Sequence, residues 1–148
     1  MRSLQTKPYM LDKEEGKFLQ ALGALVSIKA TSEQTDGMFN LFEVSCPPDY
    51  ATPLVIHYTE DVAVYVLEGT LMFFCGSEKK KAGAGSFFYQ PRGTPYGLCV
   101  EGPTPARILY LTLPAGFDRF VLEHKLTDLE SEADAARYKI EILGPLPE

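Results

Sequence analysis

The feature that most constrains this chain is a series of short apolar runs, each stopped by a turn signal before a helix could complete. Val62–Leu67 is β-branched and aromatic, Glu68-Gly69-Thr70 is a turn signal, and Leu71–Cys75 is a second apolar run. Two such runs about a Gly-containing turn predict a β-hairpin. Gly76–Gly85 is polar and Gly-rich and reads as a loop, with Lys79-Lys80-Lys81 as its solvated tip. Ser86–Gln90 is a third strand that ends at Pro91-Arg92-Gly93, where Pro has no N–H for a ladder and Gly supplies positive φ. Tyr96–Val100 resumes extended structure. Short strands with few helical patterns between them predict an all-β sandwich or closed barrel.

The flanks fit one domain of 148 residues. Residues 1–17 read as a polar arm, 18–113 as the barrel, and 114–148 as a helical segment and tail. Within Phe18–Ala30 helix and strand both remain open, although the alternation at Leu25–Lys29 favours strand. Met38–Ser45, Leu54–Tyr58 and Ala106–Thr112 are further strands. After Pro114, the residues Phe117, Phe120, Val121 and His124 fall on one face of a 3.6-residue repeat and predict a helix. Thr127-Asp-Leu-Glu130 is a capping-box pattern opening a second helix through about Tyr138. Both helices are expected outside the barrel or at a subunit contact, and the tail ILGPLPE is expected to be a loop.

Composition narrows the partners. A net charge of −6 argues against a nucleic-acid or anionic-membrane surface. No apolar run is long enough to span a bilayer, and the N-terminus has no apolar signal core, so a cytoplasmic protein is expected. Cys46, Cys75 and Cys99 lack CxxC spacing and are odd in number, which suits free thiols in a reducing compartment.

The two central stretches, Pro53–Gly69 and Gly85–Val100, resemble the two motifs of the cupins, specifically the small single-domain bacterial cupins called quercetin-dioxygenase-like. Gly69 closes the first motif after Glu60–Glu68, and Gly85, Pro91 and Gly93 stand at the spacing of the second. The fifteen residues between Gly69 and Gly85, and the LGALVSIKATSEQT and LTLPAGFDRF stretches, also resemble this group. The resemblance implies a cupin jelly-roll β-barrel or sandwich with one or two C-terminal helices, and a homodimer formed through N-terminal strands and outer sheet faces. It also shows what has been lost. On the family pattern the first motif's first His falls on Val55, its second is His57, and its Glu falls on Val62. The second motif's His falls on Tyr96 and its final Asn on Val100. Valine has no lone pair to offer a metal, and a phenol binds most divalent ions only when ionised. No metal and no other cofactor are therefore expected.

The resemblance places those positions inside the barrel. Period-two alternation then adds Val64 and Val66 on one strand and Leu98 and Val100 on the other. The expected result is an apolar chamber with two polar groups, His57 and Tyr96, lined by Val55, Val62, Val64, Val66, Leu98 and Val100, with Gln90 as a third polar group if its face of Ser86–Gln90 points inward. Such a chamber suits a small apolar or aromatic molecule. Three readings stay open: a binding cupin in which His57 only packs, a metal-independent isomerase, lyase or cyclase with His57 as base and Tyr96 as acid on an aromatic or polyketide-like substrate, and a metal-dependent oxygenase with unusual ligands. Glu60 and Asp61 are expected to face solvent, with Asp61 a poor substitute for the missing Glu. Tyr58 and Cys99 are expected on outer faces, His124 in the core or an interface, and Arg92 at the barrel mouth.

Overall fold

The computed structural model describes residues 6–123 and 132–147. The strands are β1 (Lys17–Ala21), β2 (Ala24–Ala30), β3 (Asn40–Cys46), β4 (Leu54–His57), β5 (Asp61–Glu68), β6 (Leu71–Cys75), β7 (Glu78–Ala82), β8 (Phe87–Gln90), β9 (Pro95–Val100), β10 (Ala106–Leu113) and β11 (Ile140–Gly144). Two short helices, α1 (Phe117–Glu123) and α2 (Glu132–Arg137), lie between β10 and β11. His124 and the Thr127–Glu130 capping pattern lie outside the described residues.

The strands form two antiparallel sheets, one in the order β1-β2-β3-β10-β5-β8 and the other in the order β11-β4-β9-β6-β7. Their inner faces meet over a core that includes Phe42, Val44, Val64, Val66, Leu71, Phe73, Leu98 and Ile108. This is the jelly-roll arrangement of an all-β sandwich.

Three local expectations change and one open reading, the third below, resolves to strand. First, β5 and β6 are not a hairpin. β5 is flanked by β10 and β8, and β6 by β9 and β7, so the turn at Gly69 carries the chain from one sheet to the other. Gly69 has φ +83°, and a Cβ there would lie 2.7 Å from both the Ala106 Cα and the Pro105 carbonyl oxygen, so the crossover needs a residue without a side chain. Second, the supposed loop after Gly76 contains β7, paired from Cys75↔Glu78 to Leu71↔Ala82. Its EKKKA sequence is largely exposed and shows no apolar alternation, as suits an edge strand protected by lysines. Third, Phe18–Ala30 is a hairpin with Leu22-Gly23 at its tip, both at positive φ (56° and 85°), the sign pattern of a tight mirror-image turn. Fourth, the tail is no loop, because β11 pairs with β4 through Ile140↔His57 and Ile142↔Val55.

The α1 helix does not sit outside the barrel. Phe120 and Val121 are buried, and two polar residues fix the helix over one end of the sandwich. Asn40 Oδ1 accepts the Gly116 N–H at 3.0 Å and the Asp118 N–H at 3.1 Å. The buried Asp118 carboxylate accepts from the Ser32 N–H at 2.8 Å and the Ser32 hydroxyl at 2.5 Å. Buried polar atoms satisfied in this way position an element more sharply than apolar contact alone. The N-terminal arm has no strand or helix from residue 6 to 12, but the Tyr9 hydroxyl donates to the Lys29 carbonyl at 2.7 Å and so pins it along β2.

Candidate functional site

Beneath α1 the sandwich is hollow. A cavity of about 70 Å³ is bounded by β2, β3, β4, β9, β10 and α1, and its wall includes Val26, Phe42, Val55, His57, Tyr96, Leu98, Tyr110, Phe117 and Ile140. His57 ends β4, and the Val55↔Tyr96 pairing sets Tyr96 on the neighbouring strand. Tyr110 faces both from β10 in the opposite sheet.

The polar groups form one line. His57 Nδ1 lies 3.2 Å from Glu60 Oε1, and His57 Nε2 lies 3.3 Å from the Tyr96 hydroxyl. The Tyr96 hydroxyl in turn bonds the Tyr110 hydroxyl, and the Thr59 hydroxyl donates to Glu60 Oε2. A carboxylate accepts, so Nδ1 donates to Glu60, and in that tautomer Nε2 carries the lone pair that faces Tyr96. Tyr96 then donates to Nε2, and Tyr110 donates to the Tyr96 oxygen. Burial pushes both phenols above their ordinary value, with the bond from Tyr110 partly offsetting this at Tyr96, so both remain protonated donors at neutral pH. The arrangement is a base oriented by a carboxylate and backed by two neutral acids, in an apolar wall that raises the strength of each bond.

The expected site residues divide. Val55, His57, Tyr96 and Leu98 line the cavity. Val62, Val64, Val66 and Val100 point inward and are buried, but they sit in the filled half of the sandwich and not among the cavity-lining residues. There Phe73 and Phe88 stack with centroids 4.4 Å apart and occupy the space. Phe88 and Gln90 are the inward pair of β8, while Phe87 and Tyr89 are exposed. Gln90 does not reach the cavity wall. It bonds the Thr94 hydroxyl and lies 3.4 Å from Cys75 Sγ, which secures the turn after β8.

Three contributors lay outside the sequence reading. Glu60 does not face solvent, being 6% exposed and held against His57. It follows His57 by three residues, a spacing that a tight turn after a strand brings together. Tyr110 belongs to the inward set Ile108, Tyr110 and Thr112, which apolar Leu109 and Leu111 on the other face conceal. Phe117 covers the cavity from α1, with its ring edge-on to His57 at 5.2 Å. Asp61 is turned away and pairs with Arg92 (Nε to Oδ1, 3.1 Å), which holds its carboxyl below the usual range. Tyr58 is exposed and bonded to Glu141, and burial raises the Cys99 thiol.

The residues do not fit a cupin metal. Val55 and Val62 offer no donor atom, and Tyr96 is pushed away from the phenolate form that binds metal. Among the described residues no three His, Cys, Asp or Glu side chains come together.

Comparison with known proteins places this framework. Residues 42–112 match the family model described as a cupin domain. No curated protein matches the chain. Among solved structures, the Streptomyces protein Pac13, described as a nucleoside dehydratase, aligns over 95% of this chain and 95% of its own at 15% identity and a TM-score of 0.66. A variant of Pac13 is known with uridine. KdgF from Halomonas sp. aligns over 75% of this chain and 99% of its own, at 19% identity and a TM-score of 0.66. An RmlC-like cupin from Shewanella frigidimarina aligns over 78% of this chain and 99% of its own, at 16% identity and a TM-score of 0.66. At these identities the likeness is one of fold. With two packed antiparallel sheets, the motif glycines at their turns and a matching domain model over residues 42–112, the chain has the cupin fold.

Proposed function

We propose that this cupin binds a small molecule beneath α1 and runs metal-independent acid–base chemistry on it, of the lyase or isomerase type. The observation that carries this reading is the line Glu60–His57–Tyr96–Tyr110 on the wall of an otherwise apolar cavity. A lone buried histidine is usually packing. One held by a carboxylate on one nitrogen and a phenol on the other has the base-plus-orienter geometry of acid–base catalysis. In an elimination, His57 Nε2 takes a proton from carbon, the C–O bond to the leaving hydroxyl breaks as the double bond forms, and Tyr96 protonates that oxygen so that water departs. The proton on His57 then returns to the Tyr96 oxygen across their hydrogen bond. The dehydratase described for the Streptomyces neighbour makes this class the first to test.

The test is a thermal-shift screen of nucleosides, uridine first, and of small hydroxycarbonyl compounds, followed by assay of each binder for loss of water. Wild type is expected to turn over at least one of them. His57→Ala is expected to lose about 10²–10⁴-fold in turnover, the usual share of a general base, while its circular dichroism is unchanged. Turnover that survives this substitution, or that disappears with a chelator and returns with a metal ion, contradicts the reading.

We also propose a homodimer. The outer face of the six-stranded sheet exposes Tyr65 (42%), Phe87 (68%) and Tyr89 (51%), with Tyr65↔Phe87 and Ala63↔Tyr89 paired across β5 and β8. An exposed aromatic patch of this kind suits a two-fold contact. Light scattering on the eluted peak reads the mass directly, and a clean monomer at micromolar concentration contradicts it. Among the described residues no helix is long and apolar enough to cross a membrane. The three unpaired thiols suit the reducing cytoplasm we propose as its compartment.

A further inference from the structure

The cavity is too small for the ligands just named. At about 70 Å³ it holds a few waters, whereas small-molecule sites begin near roughly 300 Å³. A second hollow adjoins it. An outer cleft of about 190 Å³ is lined by Thr59, Glu60, Phe117, Arg119, Arg137 and Lys139, among others. Phe117 lines both hollows. Glu60 lines the cleft while its carboxylate bonds His57, which lines the cavity. Phe117, half-buried and in ring contact with Phe42, His57, Tyr110 and Phe120, is thus the side chain that stands between the two hollows. With that ring withdrawn, the joined space approaches the volume of an ordinary ligand site.

The charge of the cleft runs against that of the molecule. The chain carries −6 overall, yet among the described residues the cleft wall carries three cations and one carboxylate. Arg137 is paired with Glu123 at 2.9 Å, so Arg119 and Lys139 supply most of the excess. Both oxygens of Glu60 are already engaged, Oε1 by His57 and Oε2 by Thr59. A concave wall with an excess of one sign draws in and orients the opposite charge, and a guanidinium presents paired donors that match carboxylate and phosphate oxygens.

We propose that this cleft is the mouth of the site and its oxyanion subsite. Arg119 and Lys139 hold a carboxylate or phosphate of the substrate, and its uncharged reacting end passes Phe117 to reach Tyr96 and His57. The inference rests on the acid–base reading above and narrows it to anionic substrates.

The test uses the whole chain at low ionic strength. Inorganic phosphate and acetate are titrated separately, with glycerol as the uncharged control, into wild type, Arg119→Gln/Lys139→Gln and His57→Ala, while the backbone amides of Phe117 and Lys139 are followed by NMR. One or both anions are expected to shift these amides saturably in wild type and in His57→Ala, and at least tenfold more weakly in the double variant. Glycerol is expected to do nothing. The tighter of the two anions names the group. Equal affinity in the double variant, or no saturable shift with either anion, overturns the subsite. Anion binding retained in a protein that turns over nothing overturns the acid–base reading alone. Turnover of an uncharged compound with the same KM in wild type and double variant overturns the subsite alone.

Discussion

The interior of this sandwich has a filled half and a hollow half, built from the same strands with the same alternation. In the filled half Val62, Val64, Val66, Leu71 and Val100 surround the stacked Phe73–Phe88 pair, with Gln90 at its rim and Thr112 paired beside Val62. In the hollow half the side chains that face one another are Val55, His57, Tyr96 and Tyr110, and the end is closed by Phe117. Two facing aromatic rings on β6 and β8 fill one half. In the other, Tyr96 meets His57 and Tyr110 through their polar atoms, and a cavity remains beside them. Polar contacts of fixed length keep side chains from collapsing as hydrocarbon does, and a binding site can survive inside a core for that reason.

The largest break in this comparison is expected from Phe73→Ala. It removes half of the stack from the filled side, and chemical denaturation is expected to show a loss of about 3–5 kcal/mol, as for other buried phenylalanines. A value below about 1 kcal/mol would mean that this half is as loosely packed as the other.

A sharper contrast comes from adding one methylene group to each half. Val64→Leu is expected to cost about 1–3 kcal/mol through overpacking, whereas Val55→Leu, on the cavity wall, is expected to cost less than about 1 kcal/mol or to stabilise. Equal costs at the two sites would contradict the division into halves.

Alkaline pH reads the hollow half through its buried phenols. The Tyr96 and Tyr110 phenols lie above their ordinary value in the folded state. Their contribution is therefore complete below the ordinary tyrosine value near pH 10, and it declines as pH rises from there toward the folded value, because the unfolded chain releases those protons first. In that window each such phenol steepens the fall by up to about 1.4 kcal/mol per pH unit. Tyr96→Phe is expected to flatten the slope by about that amount relative to wild type, measured by denaturation between pH 9 and 11. Parallel slopes would place Tyr96 in contact with solvent.

The smallest effect is expected at the rim. The Asp61 carboxyl is held below its ordinary value by the Arg92 side chain and N–H. The pair's contribution is present above the ordinary carboxylate range and vanishes as pH falls through the depressed folded value. Arg92→Ala is expected to cost no more than about 1 kcal/mol at neutral pH, since the pair is largely exposed, and nothing in strong acid. A larger loss at neutral pH would mean that this ion pair props open the hollow half.

Much of the fold was legible because it rests on local chemistry. Turn residues at Gly69, Gly85 and Pro91-Arg92-Gly93 and β-branched runs between them hold wherever they occur. β7 escaped because an edge strand wet on both sides has no reason to alternate. β11 escaped because a five-residue strand that ends at Gly144 and is followed by Pro145 resembles a frayed tail until β4 is there to pair with it. The β5–β6 turn looked like a hairpin because a local sequence cannot say which sheet receives the next strand.

The sequence alone determined that this chain would form a two-sheet β-sandwich of cupin type, that valines would replace metal donors at Val55 and Val62, and that His57 and Tyr96 would face inward. Tertiary structure decided the rest of the site. Glu60 lies behind His57 because of how the turn after β4 packs, Tyr110 meets Tyr96 only because β10 and β9 oppose one another across the core, and Phe117 covers them because Asn40 and Asp118 fix α1 over the opening. Each of these is a contact between residues from different strands or from a strand and a helix. Local propensity and alternation assign a side chain to a face, and only the closing of the two sheets determines which faces touch.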